Sequence, residues 1–279
     1  MKNILKIMLM MITIFTIAGS AVYAAEIPVS DQDQLITSND WTEISNLQDE
    51  MKKEEPDATI DYDKALKVYV DCNLIKLQTA DTKKLTSALE SANYVWVIPF
   101  KMEKTYGMFT VAKGLPLREE AKSVLTKAEQ EEVKNHAGKW MITETAEHTV
   151  EPYYDILLEK REALSDCTRV VLVGSQPGMR QPVALGMDDE TARIWISLGY
   201  QYPVMEKIPE TQNVESGVYS FDSVAEISDT YIEDSEVSTG AGVQSRSSMK
   251  YVAGIGIIVI GSILILSVLK KKKLEQSGE

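Results

Sequence analysis

Leu66-Lys67-Val68-Tyr69-Val70-Asp71-Cys72-Asn73-Leu74 sets Leu66, Val68, Val70, Cys72 and Leu74 against Lys67, Tyr69, Asp71 and Asn73. Successive side chains of a strand point to opposite sides, so this period of two predicts a half-buried strand with Cys72 facing inward. Asp81 can then cap a helix running to about Ser91, with Leu85, Ala88, Leu89 and Ala92 on one stripe. Tyr94 to Phe100 reads as an apolar strand and Tyr106 to Ala112 as its hairpin partner.

A charged amphipathic helix is predicted over Arg118 to Ala137, stopped by Gly138. Lys139 to Thr145 reads as a strand, and Pro152 opens a helix to about Ser165. Arg169 to Val173 is a strongly apolar strand. Val183 to Met187 and Ala192 to Leu198 form a hairpin around Asp188-Asp189-Glu190. The resulting fold class is α+β, with an antiparallel or mixed sheet and packed helices. Elements starting at Leu66, Asp81, Tyr94 and Tyr106 recur at Lys139, Pro152, Thr168 and Pro182, at offsets of 73, 71, 74 and 76. Such offsets suggest a tandem β-α-β-β duplication, although coarse element strings also repeat by chance.

The two ends give the address. Lys2 and Lys6 precede an apolar run from Ile7 to Ile17, and Val22-Tyr23-Ala24 offers a small-residue cleavage site. That run is short for a bilayer, so residues 1–24 read as a secretory signal. Tyr251 to Leu269 has no charge and carries twelve Ile, Val and Leu residues. These contribute about −4 to −7 kcal/mol toward insertion. Lys270, Lys271, Lys272 and Lys273 follow at once and act as the stop-transfer cluster, which keeps the C-terminus cytoplasmic and the N-terminal bulk extracellular. The predicted localisation is a cytoplasmic membrane, spanned once at residues 250–269, with a basic tail at 270–279. Between the ends, 25–56 reads as a loose acidic leader, 57–209 as the folded ectodomain and 210–249 as a flexible polar stalk.

Between Ala25 and Met249 there are 22 basic and 40 acidic residues, a net charge near −18. That field repels nucleic acid and anionic lipid. No Asn-x-Ser/Thr sequon occurs, which leans toward a bacterial envelope. In an exported chain the pair Cys72 and Cys167 invites a disulfide, with two buried thiols as the alternative. Closing the loop between them would contribute about 4 kcal/mol.

Chemical motifs are sparse. His136 and His148 lie twelve apart, without metal-ligand spacing. Gly174-Ser175-Gln176-Pro177-Gly178 lacks the order of a nucleophile elbow and reads as a turn. Asp61 with Asp63, Asp188-Asp189-Glu190, and Asp229 with Glu233, Asp234 and Glu236 read as solvated acids, none matching a calcium loop. Cys167 with His148 is the one conceivable thiol nucleophile. No catalytic, cofactor or metal residue is assigned, and no cofactor is expected. Tyr200 and Tyr202 form a candidate contact surface, because aromatic rings with a polar tip favour interfaces. The predicted function is a membrane-anchored extracellular binding module that meets an envelope protein, a wall component or a small ligand. An accessory or structural subunit of an envelope assembly is the alternative. An enzyme whose residues converge only in the fold comes third.

Overall fold

The computed structural model describes residues 27–228 apart from 149–150, 175, 177–178, 180, 201–204 and 209–212. The predicted signal, the membrane helix at 250–269 and Lys270 to Lys273 lie outside the described residues. Among those described, no helix is long and apolar enough to cross a membrane.

Among the described residues, ten strands form one sheet. They are β1 Thr59–Ile60, β2 Leu66–Val70, β3 Asn93–Lys101, β4 Tyr106–Lys113, β5 Trp140–His148, β6 Arg169–Val173, β7 Val183–Met187, β8 Ala192–Ser197, β9 Asn213–Glu215 and β10 Val218–Ser220. Nine run in the order β5-β4-β3-β2-β6-β7-β8-β10-β9, and β1 pairs with β3. Every pairing between strands is antiparallel except β2 with β6. Two antiparallel meanders therefore meet through one parallel pair at the centre.

The stretch Leu66 to Leu74 is a strand only as far as Val70. It is central and covered on both sides, so Lys67 and Tyr69 are buried as well as Leu66 and Val68. Asp71 then adopts φ 59°, which breaks the alternation. Cys72 consequently packs with Tyr69 and Leu74, not with Leu66 and Val68. Cys167 lies in the cluster on the opposite face of the sheet. Both are free thiols, and the predicted Cys72–Cys167 bridge is not formed. The sheet itself separates them.

Local chemistry explains most elements. The Asp81 carboxylate accepts from Lys83 and Lys84 backbone N–H at 2.9 and 3.1 Å and starts helix Thr82–Glu90, which buries Leu85 and Leu89. The predicted helix over 118–137 is two, Glu119–Lys122 and Lys127–His136. Thr126 and Glu129 form a capping box that restarts it. Gly138 ends it at φ 76°, where a left-handed residue is needed. Pro152 stands just before helix Tyr153–Glu159, which stops well short of Ser165.

The suggested duplication does not recur in space. β2 is central, whereas β5, its supposed counterpart, is an edge strand beside β4. The recurring offsets matched coarse elements without matching their neighbours.

Two boundaries also move. The stretch read as a loose leader is packed: Ile27, Val29, Leu35, Ile44 and Met51 are buried. It is built of a 3-10 turn at Leu35–Thr37 and helices Trp41–Ile44 and Gln48–Glu54, too short and irregular to show a period. Its beginning wedges between the starts of β2 and β6. Val170 N–H donates to Pro28 O at 2.7 Å, Lys67 N–H to Asp33 O at 3.0 Å, and Leu35 N–H to Ala65 O at 3.1 Å. At the other end β9, β10 and a helix over 221–228 pack where the stalk was predicted to begin. Val218, Phe221 and Val224 are buried, and Phe221 stacks on Trp195 at 5.6 Å. Among the described residues, packing therefore extends on both sides of 57–209, from Ile27 at one end to Ser228 at the other.

Three apolar clusters result. One face carries Leu66, Val68, Leu172, Ala184 and Ile196 under helix Tyr153–Glu159. The other face carries two. One packs Val171, Leu185 and Trp195 against Leu85, Leu89 and Val224. The second packs Trp96, Ile98, Phe100 and Phe109 against Leu35, Ile44 and Met51. Between these two lies a charged seam.

Candidate functional site: a charged seam with an open cavity

The seam is set by register. In the β2–β3 pairing Lys67 stands opposite Trp96, and Tyr69 opposite Tyr94. All four side chains therefore share one face. Arg169 starts β6 on the same face as Val171. The N-terminal wedge lays Asp33 and Asp40 over them.

Asp33 is 2 % exposed and takes most of the contacts. It accepts from Ser30 Oγ at 2.6 Å, from Tyr69 Oη at 2.7 Å and from Arg169 Nη2 at 3.0 Å. Lys67 Nζ stands off at 3.7 Å. Arg169 also reaches Tyr69 Oη at 3.4 Å, while its buried Nε has no partner among the described residues. A carboxylate buried this deeply needs a counter-charge, and Arg169 supplies it with one direct bond.

Asp40 occupies the position before helix Trp41–Ile44, yet its side chain does not cap it. Its Oδ2 accepts instead from Tyr94 Oη at 2.8 Å and Trp96 Nε1 at 3.0 Å. Burial, and then the neighbouring carboxylate, hold the Tyr69 and Tyr94 hydroxyls well above the ordinary phenol range. Both remain donors.

Lys67 sits between these acids. Its Nζ is 4.6 Å from the Tyr94 ring centre, 5.2 Å from Trp96 and 5.8 Å from Tyr69. Burial pulls its pKa down, opposed by Asp33 and Asp40. The residue is 9 % exposed, and its ammonium makes one ion pair, the 3.7 Å contact with Asp33, longer than an ordinary hydrogen bond. It faces a cavity of about 150 Å³ lined by Gln32, Ser38, Asn39, Asp40, Lys67 and Tyr94.

The residues singled out by sequence lie elsewhere. Tyr200 is half-buried and packs against clusters on both faces, so it is largely a core side chain; Tyr202 lies outside the described residues. His136 ends the helix Lys127–His136, and the His148 side chain is not among those described. Asp188 folds back on its own turn, accepting from Glu190 and Thr191 N–H and pairing with Arg193. Asp61 lies 3.7 Å from Lys64, which bridges to Asp155 at 2.8 Å. Asp229, Glu233, Asp234 and Glu236 lie outside the described residues. Gln176 of the glycine-flanked turn is a latch: it accepts from Leu74 N–H at 3.0 Å and donates to Cys72 O and Gly174 O. Burial pushes both thiols up to about 11, which disfavours the thiolate a nucleophile requires. No group of three or more His, Cys, Asp or Glu that could hold a metal occurs among the described residues.

Asp33, Asp40, Lys67 and Arg169 were not singled out from sequence. A lysine beside a tyrosine in an otherwise apolar strand was the available signal for Lys67. Asp33 and Asp40 have none, since they reach the site through an irregular segment. No family model, curated protein or solved structure matches this chain.

Proposed function

We propose that this chain is a single-pass, membrane-anchored binding module of a bacterial cell envelope, with its folded part outside the cytoplasm. The signal-like segment 1–24, the uncharged stretch 251–269 and Lys270 to Lys273 support the address. One observation supports binding above other roles: a nearly buried lysine, held by a single 3.7 Å ion pair to Asp33, lines an open cavity within a closely packed face. A ligand oxygen at hydrogen-bond distance would complete what the 3.7 Å contact leaves open. An envelope protein, a wall component or a small solute fits this reading. The strongly acidic charge makes nucleic acid a poor partner.

The second reading is a subunit of a membrane-associated envelope assembly. It draws support from the excursion between β4 and β5, over residues 114–139, in which no described residue is buried and Val124 is 78 % exposed. Helices this short are marginal alone, so the excursion has a face to spare for a neighbour.

The test compares the tagged full chain with residues 27–228. An envelope component that co-purifies equally with both supports a module whose recognition lies on the folded part. Retention that requires residues 229–279 favours the assembly subunit. Protease added to intact protoplasts should digest the folded part. Its full protection would overturn the proposed orientation.

A further inference from the structure

We infer that the Lys67 cavity is a site for a small zwitterionic solute of the α-amino-acid class, carboxylate toward Lys67 and ammonium toward Asp40. The inference rests on the binding-module reading and specifies its ligand.

The charges in the seam do not pair off evenly. Asp33 and Arg169 make a direct ion pair at 3.0 Å, closed over by Ser30 and Tyr69. Lys67 makes only the longer contact with Asp33, at 3.7 Å, and Asp40 pairs with no cation among the described residues. No oxygen of Asp40 lies within 4 Å of Lys67 Nζ, yet both side chains line the same cavity. The protein thus presents one cation and one anion across an open space. Asp40 Oδ2 is taken by Tyr94 and Trp96, which fixes the carboxylate and leaves Oδ1 as its acceptor. The three donors of the Lys67 ammonium have rings on their flanks and, on one side, the Asp33 carboxylate at 3.7 Å.

Each simpler ligand meets an opposing charge. An anion at Lys67 is repelled by Asp40 and Asp33, and a metal cation at Asp40 is repelled by Lys67. A molecule carrying both charges a few ångströms apart satisfies both. Size sets the class, because about 150 Å³ is well below the roughly 300 Å³ at which pockets for drug-sized ligands begin. Gln32 and Asn39, both exposed, form the rim and supply neutral donors and acceptors there.

The test is titration calorimetry on the full chain in detergent micelles, using glycine, L-alanine, D-alanine, acetate and methylammonium separately. Glycine or an alanine should bind with a Kd on the order of 1 mM or tighter. Acetate and methylammonium should each bind at least about tenfold more weakly, since each meets one charge and is opposed by the other. Asn39→Trp changes an exposed rim residue outside the buried network and should plug the cavity and abolish binding. Lys67→Met and Asp40→Asn should each weaken it about tenfold or more. Acetate binding within about threefold of glycine would overturn the inference in favour of a plain anion site. Glycine binding that survives Asn39→Trp, or no saturable binding of any amino acid, would overturn it outright. Those outcomes leave the co-purification test untouched, so failure of the ligand class and failure of the module reading are told apart.

Discussion

Asp33→Ala removes the carboxylate that ties the N-terminal wedge to the sheet. Three donors lose their acceptor: Ser30 Oγ, Tyr69 Oη and Arg169 Nη2. Two cations lose their nearest negative charge, Arg169 at 3.0 Å and Lys67 at 3.7 Å. Breaking one partner out of a buried ion pair typically costs about 3–5 kcal/mol. The Arg169 side chain is 25 % exposed, so water recovers part of its solvation and the lower end applies, about 3 kcal/mol. With a urea slope of about 2–3 kcal/mol/M for a fold of this size, the midpoint should fall by about 1–1.5 M. Urea unfolding of residues 27–228, followed by tryptophan fluorescence, reads this directly, because Trp96 shares the seam. Asp31→Ala, two residues away and exposed, is the control and should stay within about 0.5 kcal/mol. A loss below about 1 kcal/mol for Asp33→Ala would refute the claim that this carboxylate holds the wedge in place.

Three further outcomes follow from the geometry. Cys72 and Cys167, raised by burial to about 11, should resist alkylation near pH 8 until the chain is unfolded. The folded state retains these protons more tightly than the unfolded state, so their contribution to stability is full below pH 9 and fades as pH rises through 11; a pH series of urea midpoints checks the sign. Gly186→Ala places a Cβ 2.8 Å from Cys167 Sγ and 2.9 Å from Ile194 Cγ1, and should destabilise by about 1–3 kcal/mol in a thermal melt. Residues 57–209 alone should fail to fold cooperatively by circular dichroism, whereas 27–228 should fold, because the shorter piece lacks Leu35, Ile44, Met51, Val218 and Phe221 from the core.

What the sequence determined by itself was local. Periodicity placed the β3–β4 and β7–β8 hairpins, Asp81 and Gly138 marked helix ends, and the α+β class followed from their alternation. Each of these depends on neighbours within a few residues, which is where alternation, capping and glycine preferences act. Tertiary structure decided the rest. That β2 is central, and so buried on both faces, is a property of its pairing with β3 and β6 and not of its own residues. One left-handed residue, Asp71, sends Cys72 to the face opposite Cys167 and ends the expectation of a bridge. The segments at 27–56 and 213–228 look too polar to fold, yet Leu35, Ile44, Met51, Val218, Phe221 and Val224 fill places prepared by the sheet. The seam is the furthest from legibility. Lys67 and Arg169 come from strands about a hundred residues apart, and Asp33 and Asp40 from an irregular strap. Only the parallel contact of β2 with β6, and the wedge driven between their starts, brings those four charges together.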